Sequence, residues 1–222
     1  MIAAAMWFNS GILLFADAPA GKARDDAKKI FPRRYGSTSA SPRSIFVVSK
    51  AVPQNAAGFR HCETALEQIP AGDCTIDCMR EAIETSLRAN SDGEFDGISA
   101  TELASLVALY SASEGRYALF RTTGTALREI VGYDCEGTAA YLGHYVMRER
   151  YGAARSMDVL DLSTVFDIAT ETLKAIRSAH SECGKSSEMV VMYADGHVSD
   201  VQRIPHDTRK ERDAALNILA RT

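Results

Sequence analysis

Residues 2–17, IAAAMWFNSGILLFAD, decide the fold that this sequence predicts. Two apolar runs, at 2–8 and 12–17, flank Asn9, Ser10 and Gly11, a combination typical of a tight turn between strands. The turn leaves each run too short for a membrane span or a signal-peptide core, and the first ten residues contain no Lys or Arg. Because neither run alternates with polar residues, we expect a hairpin of two central strands buried on both faces.

Downstream of this hairpin, predicted strands and helices occur in separate groups. Strands are predicted at 29–33, 44–49, 103–110, 117–120, 127–131, 189–193 and 198–203, and helices at 54–69, from the Asp73 cap to Asn90, at 137–151, at 162–179 and from Asp207 onward. This order predicts an α+β fold of two stacked, mainly antiparallel sheets between helical layers. No repeat or linker interrupts the order, so residues 1–222 are expected to form a single domain.

The composition is that of a folded, soluble protein. Of its 222 residues, 46% are hydrophobic and 24% are charged, which excludes disordered and collagen-like classes. The net charge of −4 offers no overall cationic surface to neutralise phosphates, so we expect neither a nucleic-acid partner nor a membrane partner. Five irregularly spaced cysteines indicate reduced thiols and a cytoplasmic protein.

Several short motifs that suggest a cofactor, a metal or a catalytic triad are incomplete. Residues 184–186 (Gly-Lys-Ser) end like a phosphate-binding loop, but Ala179 stands where that loop requires glycine. The acidic stretch 92–102 resembles a calcium loop in which the spacing from glycine to glutamate is one residue short. Cys74 and Cys78 lie one helical turn apart without a second ligand pair, and no serine elbow accompanies the five histidines. We therefore predict no cofactor and no metal.

Four stretches along the chain resemble the motifs of one protein family and occur in the same order as they do in that family. They are the opening hairpin with Gly11 and Asp17, residues 29–31 (Lys-Ile-Phe), residues 117–124 with 132–138, and residues 183–188 ahead of the strand at 189–192. Together these stretches resemble the proteasome β-subunit-like N-terminal nucleophile (Ntn) hydrolases, and the last is similar to bacterial members. The resemblance implies a four-layer αββα sandwich.

The resemblance also implies where the chemistry lies. In this family residue 1 is a threonine, serine or cysteine nucleophile activated by its own α-amine, and a lysine paired with an aspartate tunes the site. Lys29 and Asp17 match that pair, and we expect a salt bridge between them beneath residue 1. Met1 occupies the nucleophile position, and a thioether has no ionisable proton to give up. Lys50 stands where the resemblance places the glycine of the oxyanion hole.

Each of these residues also has a purely structural interpretation. Asp17 can cap a turn at a strand end, and Lys29 can be a solvated residue beside Lys28. Thr138 is either a helix-start hydroxyl or a support for the N-terminal site. Residues 180 and 183 (His and Cys) are interpreted as a helix-end histidine and a buried cysteine.

Three functional hypotheses follow. The first is a catalytically silent proteasome-type homologue that contributes structure or binding. The second is an active threonine-type peptidase or amide hydrolase, acting on a peptide or small amide, whose mature N-terminus differs from Met1. The third is an unrelated α+β binding protein that uses its acidic loop or a cleft. Under the first two, we expect self-association or assembly with a related subunit.

Overall fold

The computed structural model has an α+β fold in which two antiparallel sheets lie between helical layers, as the order of elements predicts. The structure describes residues 1–18, 28–34, 43–49, 53–70, 74–91, 105–152, 160–181, 183–184, 186–205 and 209–220. Lys50, the Asp73 cap, the acidic stretch 92–102 and the predicted helix start at Asp207 lie outside these residues. Within the described ranges, no helix is long and apolar enough to cross a membrane.

The described residues form ten strands and five helices. The strands are β1 (Ala3–Phe8), β2 (Gly11–Ala18), β3 (Ile30–Arg34), β4 (Arg43–Val48), β5 (Ser105–Ser111), β6 (Arg116–Thr123), β7 (Ala126–Ile130), β8 (Tyr133–Glu136), β9 (Ser186–Tyr193) and β10 (Gln202–Pro205). The helices are α1 (Pro53–Glu67), α2 (Ile76–Ser91), α3 (Ala140–Tyr151), α4 (Leu162–Ala179) and α5 (Arg209–Leu219). Sheet A has the strand order β10-β9-β2-β1-β8, and sheet B has the order β3-β4-β5-β6-β7.

The predicted hairpin of β1 and β2 is present and lies inside sheet A. Its two strands pair from Ala3 with Ala16 to Phe8 with Gly11, and β2 is buried along its whole length. Glycine is required at position 11 because a Cβ atom there would lie 2.2 Å from the carbonyl oxygen of Met192 on β9. The hairpin turn therefore fits closely against the neighbouring strand.

Three apolar cores separate the four layers. Ile2, immediately before β1, and Ala4 and Met6 of β1 face the core shared with α3, α4 and α5, whereas Ala3 and Ala5 face sheet B. This alternation places every second side chain of a strand on the same face. The third core lies between sheet B and the helices α1 and α2. Both faces of the hairpin are buried because helices cover one and a second sheet covers the other.

Several predicted elements differ from the structure, three of them as follows. The strand β8 was not predicted, because its four residues, Tyr-Asp-Cys-Glu, include two carboxylates. The strand predicted at 198–203 is observed as β10, Gln202–Pro205, paired with β9, while Val198 makes only an isolated bridge to Met192. The helix predicted from residue 137 begins at Ala140, because Gly137 has a positive φ angle of 113°.

The packing between the sheets predicts a large effect of truncating Leu14, which is fully buried in that core. We expect Leu14→Ala to lower the free energy of unfolding by about 3 kcal/mol, because it removes apolar contacts and leaves a cavity. The matched control is Val131→Ala, at a side chain that is 75% exposed, with an expected change within about 0.5 kcal/mol. Urea unfolding of the three proteins measures both changes, and equal midpoints would contradict the layered packing.

Candidate functional site

The side chains of Asp17 and Lys29 form a buried ion pair at one end of the two sheets. Asp17 stands near the end of β2 and Lys29 immediately precedes β3, so each sheet contributes one partner. The Lys29 Nζ atom lies 2.6 Å from Asp17 Oδ1, and each side chain is only 3% exposed. The predicted salt bridge is therefore confirmed, and the interpretation of Lys29 as a solvated residue is wrong.

The Asp17 carboxylate also holds two backbone segments. The backbone N–H of Ile2 donates to Asp17 Oδ1 over 2.6 Å, and that of Gly184 donates to Oδ2 over 3.2 Å. A carboxylate that accepts several donors is stabilised in its charged form even when it is buried. Asp17 thereby ties the beginning of β1 to the segment that leads into β9.

Met1 lies directly beside this anchored position and is half-buried. Its α-amine lies 3.5 Å from Cys183 Sγ. A Cβ atom on Gly137 would lie 2.4 Å from the Met1 carbonyl oxygen and 3.0 Å from Ser49 Cβ. Only glycine fits between these groups, so Gly137 and Ser49 form the wall behind residue 1.

Two residues of the site were not assigned a role there from the sequence. Cys183 is buried and His180 ends α4, as their structural interpretation predicts, but the proximity of Cys183 to the α-amine was not foreseen. Glu188, which is 5% exposed, accepts a 3.1 Å hydrogen bond from the Lys29 backbone N–H through Oε2. The pairing of Ala16 with Glu188 across β2 and β9 brings this second carboxylate to the site. Nothing in the local sequence reveals that long-range pairing.

The structure gives less information on the roles of the other two predicted site residues, Thr138 and Lys50. Thr138 is exposed and directly follows Gly137, and the N-cap of α3 is Ala139 rather than Thr138. Thr138 is therefore not the N-cap residue, and its support of the N-terminal site stays a prediction. Lys50 lies outside the described residues, although its neighbour Ser49 is buried in the wall of the site.

A second charged cluster fixes β8, the strand that leads to Gly137. Arg121 of β6 pairs with Asp134 over 3.2 Å and with Glu136, and His144 Nε2 lies 3.2 Å from Asp134 Oδ1. Partial burial favours the neutral form of Arg121, but hydrogen bonding to Glu136 and the charges of both carboxylates outweigh that effect and raise its pKa. Through the two ion pairs of Arg121, sheet B holds β8 and with it the wall behind Met1.

The surroundings of the cysteine within this cluster, Cys135, disfavour its thiolate form. Burial raises the pKa of the Cys135 thiol well above its usual value, and the charges of Asp134 and Glu136 raise it further. The thiolate is the reactive form of cysteine. Among the described residues, no group of three or more His, Cys, Asp or Glu side chains is arranged to hold a metal ion.

The coupling of the buried pair predicts how its variants unfold. We expect Asp17→Asn to lower the free energy of unfolding by about 3–5 kcal/mol, because it leaves the Lys29 ammonium buried without a counter-charge. Adding Lys29→Met removes that unpaired charge, so the double variant should be more stable than Asp17→Asn alone. Denaturant unfolding of the wild type, both single variants and the double variant gives the coupling energy. Strictly additive effects would contradict a direct interaction between the two charges.

The fold is similar to that of solved Anbu structures. Anbu from Hyphomicrobium sp. strain MC1 superposes with a TM-score of 0.68 at 14% identity, over 97% of this chain and 92% of that chain. Anbu from Yersinia bercovieri, described as an ancestral beta-subunit, superposes with a TM-score of 0.71 at 11% identity. The match covers 95% of this chain and 90% of that chain. A chain from the helical assembly of the Anbu complex from Pseudomonas aeruginosa superposes with a TM-score of 0.67 at 13% identity. The match covers 98% of this chain and 92% of that chain. No family model and no curated protein matches the sequence. The chain therefore has an Ntn-hydrolase-like αββα sandwich fold.

Proposed function

We propose that this chain is a proteasome-type Ntn-hydrolase homologue that is catalytically silent at its N-terminal residue. The observation that carries the proposal is the hydrogen bond from the Ile2 backbone N–H to Asp17. This bond fixes residue 1 beside the Asp17–Lys29 pair, where the family places its nucleophile, and residue 1 is methionine. The charged groups of an Ntn site are present, whereas the reacting atom is absent.

The chemistry of Met1 supports this proposal. Acyl transfer needs an oxygen or sulfur that a neighbouring base can deprotonate, and the Met1 thioether has no proton to lose. The Asp17–Lys29 pair can polarise a site, but it cannot replace the attacking atom. We propose that the chain contributes structure or peptide binding instead of covalent catalysis.

Further features of the fold support three accompanying proposals. The core between the sheets contains both Ala3 and Val198, from distant parts of the chain, which supports one domain over residues 1–222. All five cysteines are free, which supports a reducing compartment and hence the cytoplasm. The helical assembly formed by Anbu supports self-association or assembly with a related subunit.

A second candidate function is an active peptidase or amide hydrolase produced by N-terminal processing. The intact Asp17–Lys29 pair favours it, because such a pair suits an activated N-terminal nucleophile. Intact-mass measurement of the protein from its natural source separates the two candidates. A mature N-terminal Thr, Ser or Cys supports the active enzyme, whereas Met1 at the mature N-terminus supports the silent homologue.

The decisive variant is Met1→Thr, produced behind a cleavable leader so that Thr is the free N-terminal residue. We expect the Met1 form to hydrolyse no fluorogenic peptide or amide probe and the Thr form to gain turnover and label at residue 1 with an electrophilic probe. Adding Lys29→Met to the Thr form should remove this turnover if the ion pair serves the site. Rapid turnover or residue-1 labelling in the Met1 form would overturn the silent assignment.

Two further variants locate the cause of any other result. If the Met1 form is active and Cys183→Ala abolishes the activity, the thiol beside the α-amine is the reacting group and the silent assignment is wrong. If both Met1 and Thr forms are inactive, the Thr form is combined with Lys50→Gly to test whether that side chain obstructs the oxyanion position. Activity of this combined variant supports a site with two defects, in agreement with the proposal.

A further inference from the structure

One exposed face of helix α3 carries aromatic and cationic side chains. Tyr141 and Tyr145 are 66% and 57% exposed, and the side chains of His144 and Arg148 are 40% and 68% exposed. Their spacing of three, four and seven residues places them on one side of the helix. We call these four residues the α3 stripe. Tyrosine and arginine are enriched in protein–protein interfaces and in their hot spots, so the composition is typical of a docking surface.

Local contacts hold the aromatic rings of the stripe in place. The Tyr141 hydroxyl lies 3.2 Å from Nε2 of His180, the residue that ends α4. The Arg148 guanidinium lies over the Tyr145 ring, 5.9 Å from its centroid, which is within the range of a cation–π interaction. Both rings are thus ordered while most of their surface stays exposed. A surface that is ordered before binding loses less conformational entropy on association.

The existing contacts of Arg148 leave it able to bind a further aromatic ring. Its ion pair with Glu149 spans 3.8 Å, and the two side chains are 68% and 58% exposed. Such an exposed pair contributes little to stability and is readily rearranged. A planar guanidinium can contact one aromatic ring on each of its faces. Arg148 can therefore keep its contact with Tyr145 and meet a second ring.

We propose that the α3 stripe is a two-fold interface with a second copy of this chain. The stripe begins with an aromatic ring, Tyr141, and ends with a cation, Arg148, so it is complementary to itself when two copies of α3 pack antiparallel. An axis between positions 144 and 145 brings Tyr141 to the partner's Arg148 and Tyr145 to the partner's His144. Two-fold symmetry makes each contact twice. The proposal rests on the self-association proposed above and names the surface that forms it.

The size of the stripe predicts a weak dimer. Because one aromatic side chain buries about 150–250 Å², the stripe is expected to bury on the order of 500 Å² in each copy. A standard specific interface buries about 800 Å² in each partner. We therefore expect a dissociation constant in the micromolar range, so that the dimer forms and dissociates within an accessible range of protein concentration.

The test is sedimentation equilibrium of the full chain over about 1–300 μM, a range that covers micromolar dissociation constants. Tyr141→Arg places two cations opposite each other, and Arg148→Glu removes the cation that faces the ring. We expect each change to weaken the dimer about tenfold or more. The matched control is Ile218→Arg, at a residue that is 42% exposed on α5, beside the opposite edge of sheet A. It should change the dissociation constant by less than about twofold.

A double variant tests the antiparallel arrangement itself. Combining Tyr141→Arg with Arg148→Glu places an arginine opposite a glutamate on both sides of the axis, which allows two charge-assisted contacts between the copies. Within one copy the two positions are about 10.5 Å apart along the helix, too far for direct pairing. We expect the double variant to regain dimerisation to within about threefold of the wild type. Circular dichroism melts verify that all variants are folded.

Each other result identifies what is wrong. A monomer at every concentration would overturn the second copy as the occupant and leave assembly with a related subunit as the remaining form of the assembly proposed above. Association that neither single variant weakens would keep self-association and overturn the α3 stripe as its surface. Equal weakening by Ile218→Arg, or no recovery in the double variant, would contradict the antiparallel pairing. None of these results bears on the proposed catalytic silence, which is measured by turnover.

Discussion

The Asp17 carboxylate is the group on which the N-terminal end of the structure depends. It accepts hydrogen bonds from the Lys29 ammonium and from the backbone of Ile2 and Gly184. A buried carboxylate without such partners costs several kcal/mol, in order of magnitude. The three donors come from separate parts of the chain, so the charge is accommodated only when all of them are correctly placed. The ion pair is thus a consequence of the complete fold as well as a stabilising contact within it.

The layered packing brings these donors together. β2 is the middle strand of sheet A, with β1 on one side and β9 on the other, so Asp17 lies between the chain start and the segment before β9. Lys29 reaches it from the beginning of β3, in the opposing sheet. Near Asp17, β1 faces sheet B with the short side chains of Ala3 and Ala5, and further along the strand Trp7 stacks on Tyr117 of β6. The arrangement therefore follows from apolar packing and strand order.

Local sequence patterns predicted those parts of the fold that depend on local signals. The hairpin of β1 and β2 was predicted because two apolar runs flank a glycine turn, and the Asp17–Lys29 pair because of its place in a family register. β8 was missed because Asp134 and Glu136 do not fit a buried strand until Arg121 and His144 compensate them. Such compensation depends on tertiary contacts. The proximity of Cys183 and Glu188 to the N-terminus depends on sequence separations above 150 residues, as in the Lys29–Glu188 contact, which spans 159 residues.

A site of this kind can preserve its charged residues without catalysis, since they also have a structural role. Removing Asp17 would leave the Lys29 ammonium buried and two backbone N–H groups without their acceptor, whether or not residue 1 reacts. The ion pair is therefore explained by folding alone and is weak evidence for activity. The side chain of residue 1 contributes none of these contacts, because Asp17 binds the backbone of Ile2. The chemistry of residue 1 can consequently change without loss of the fold.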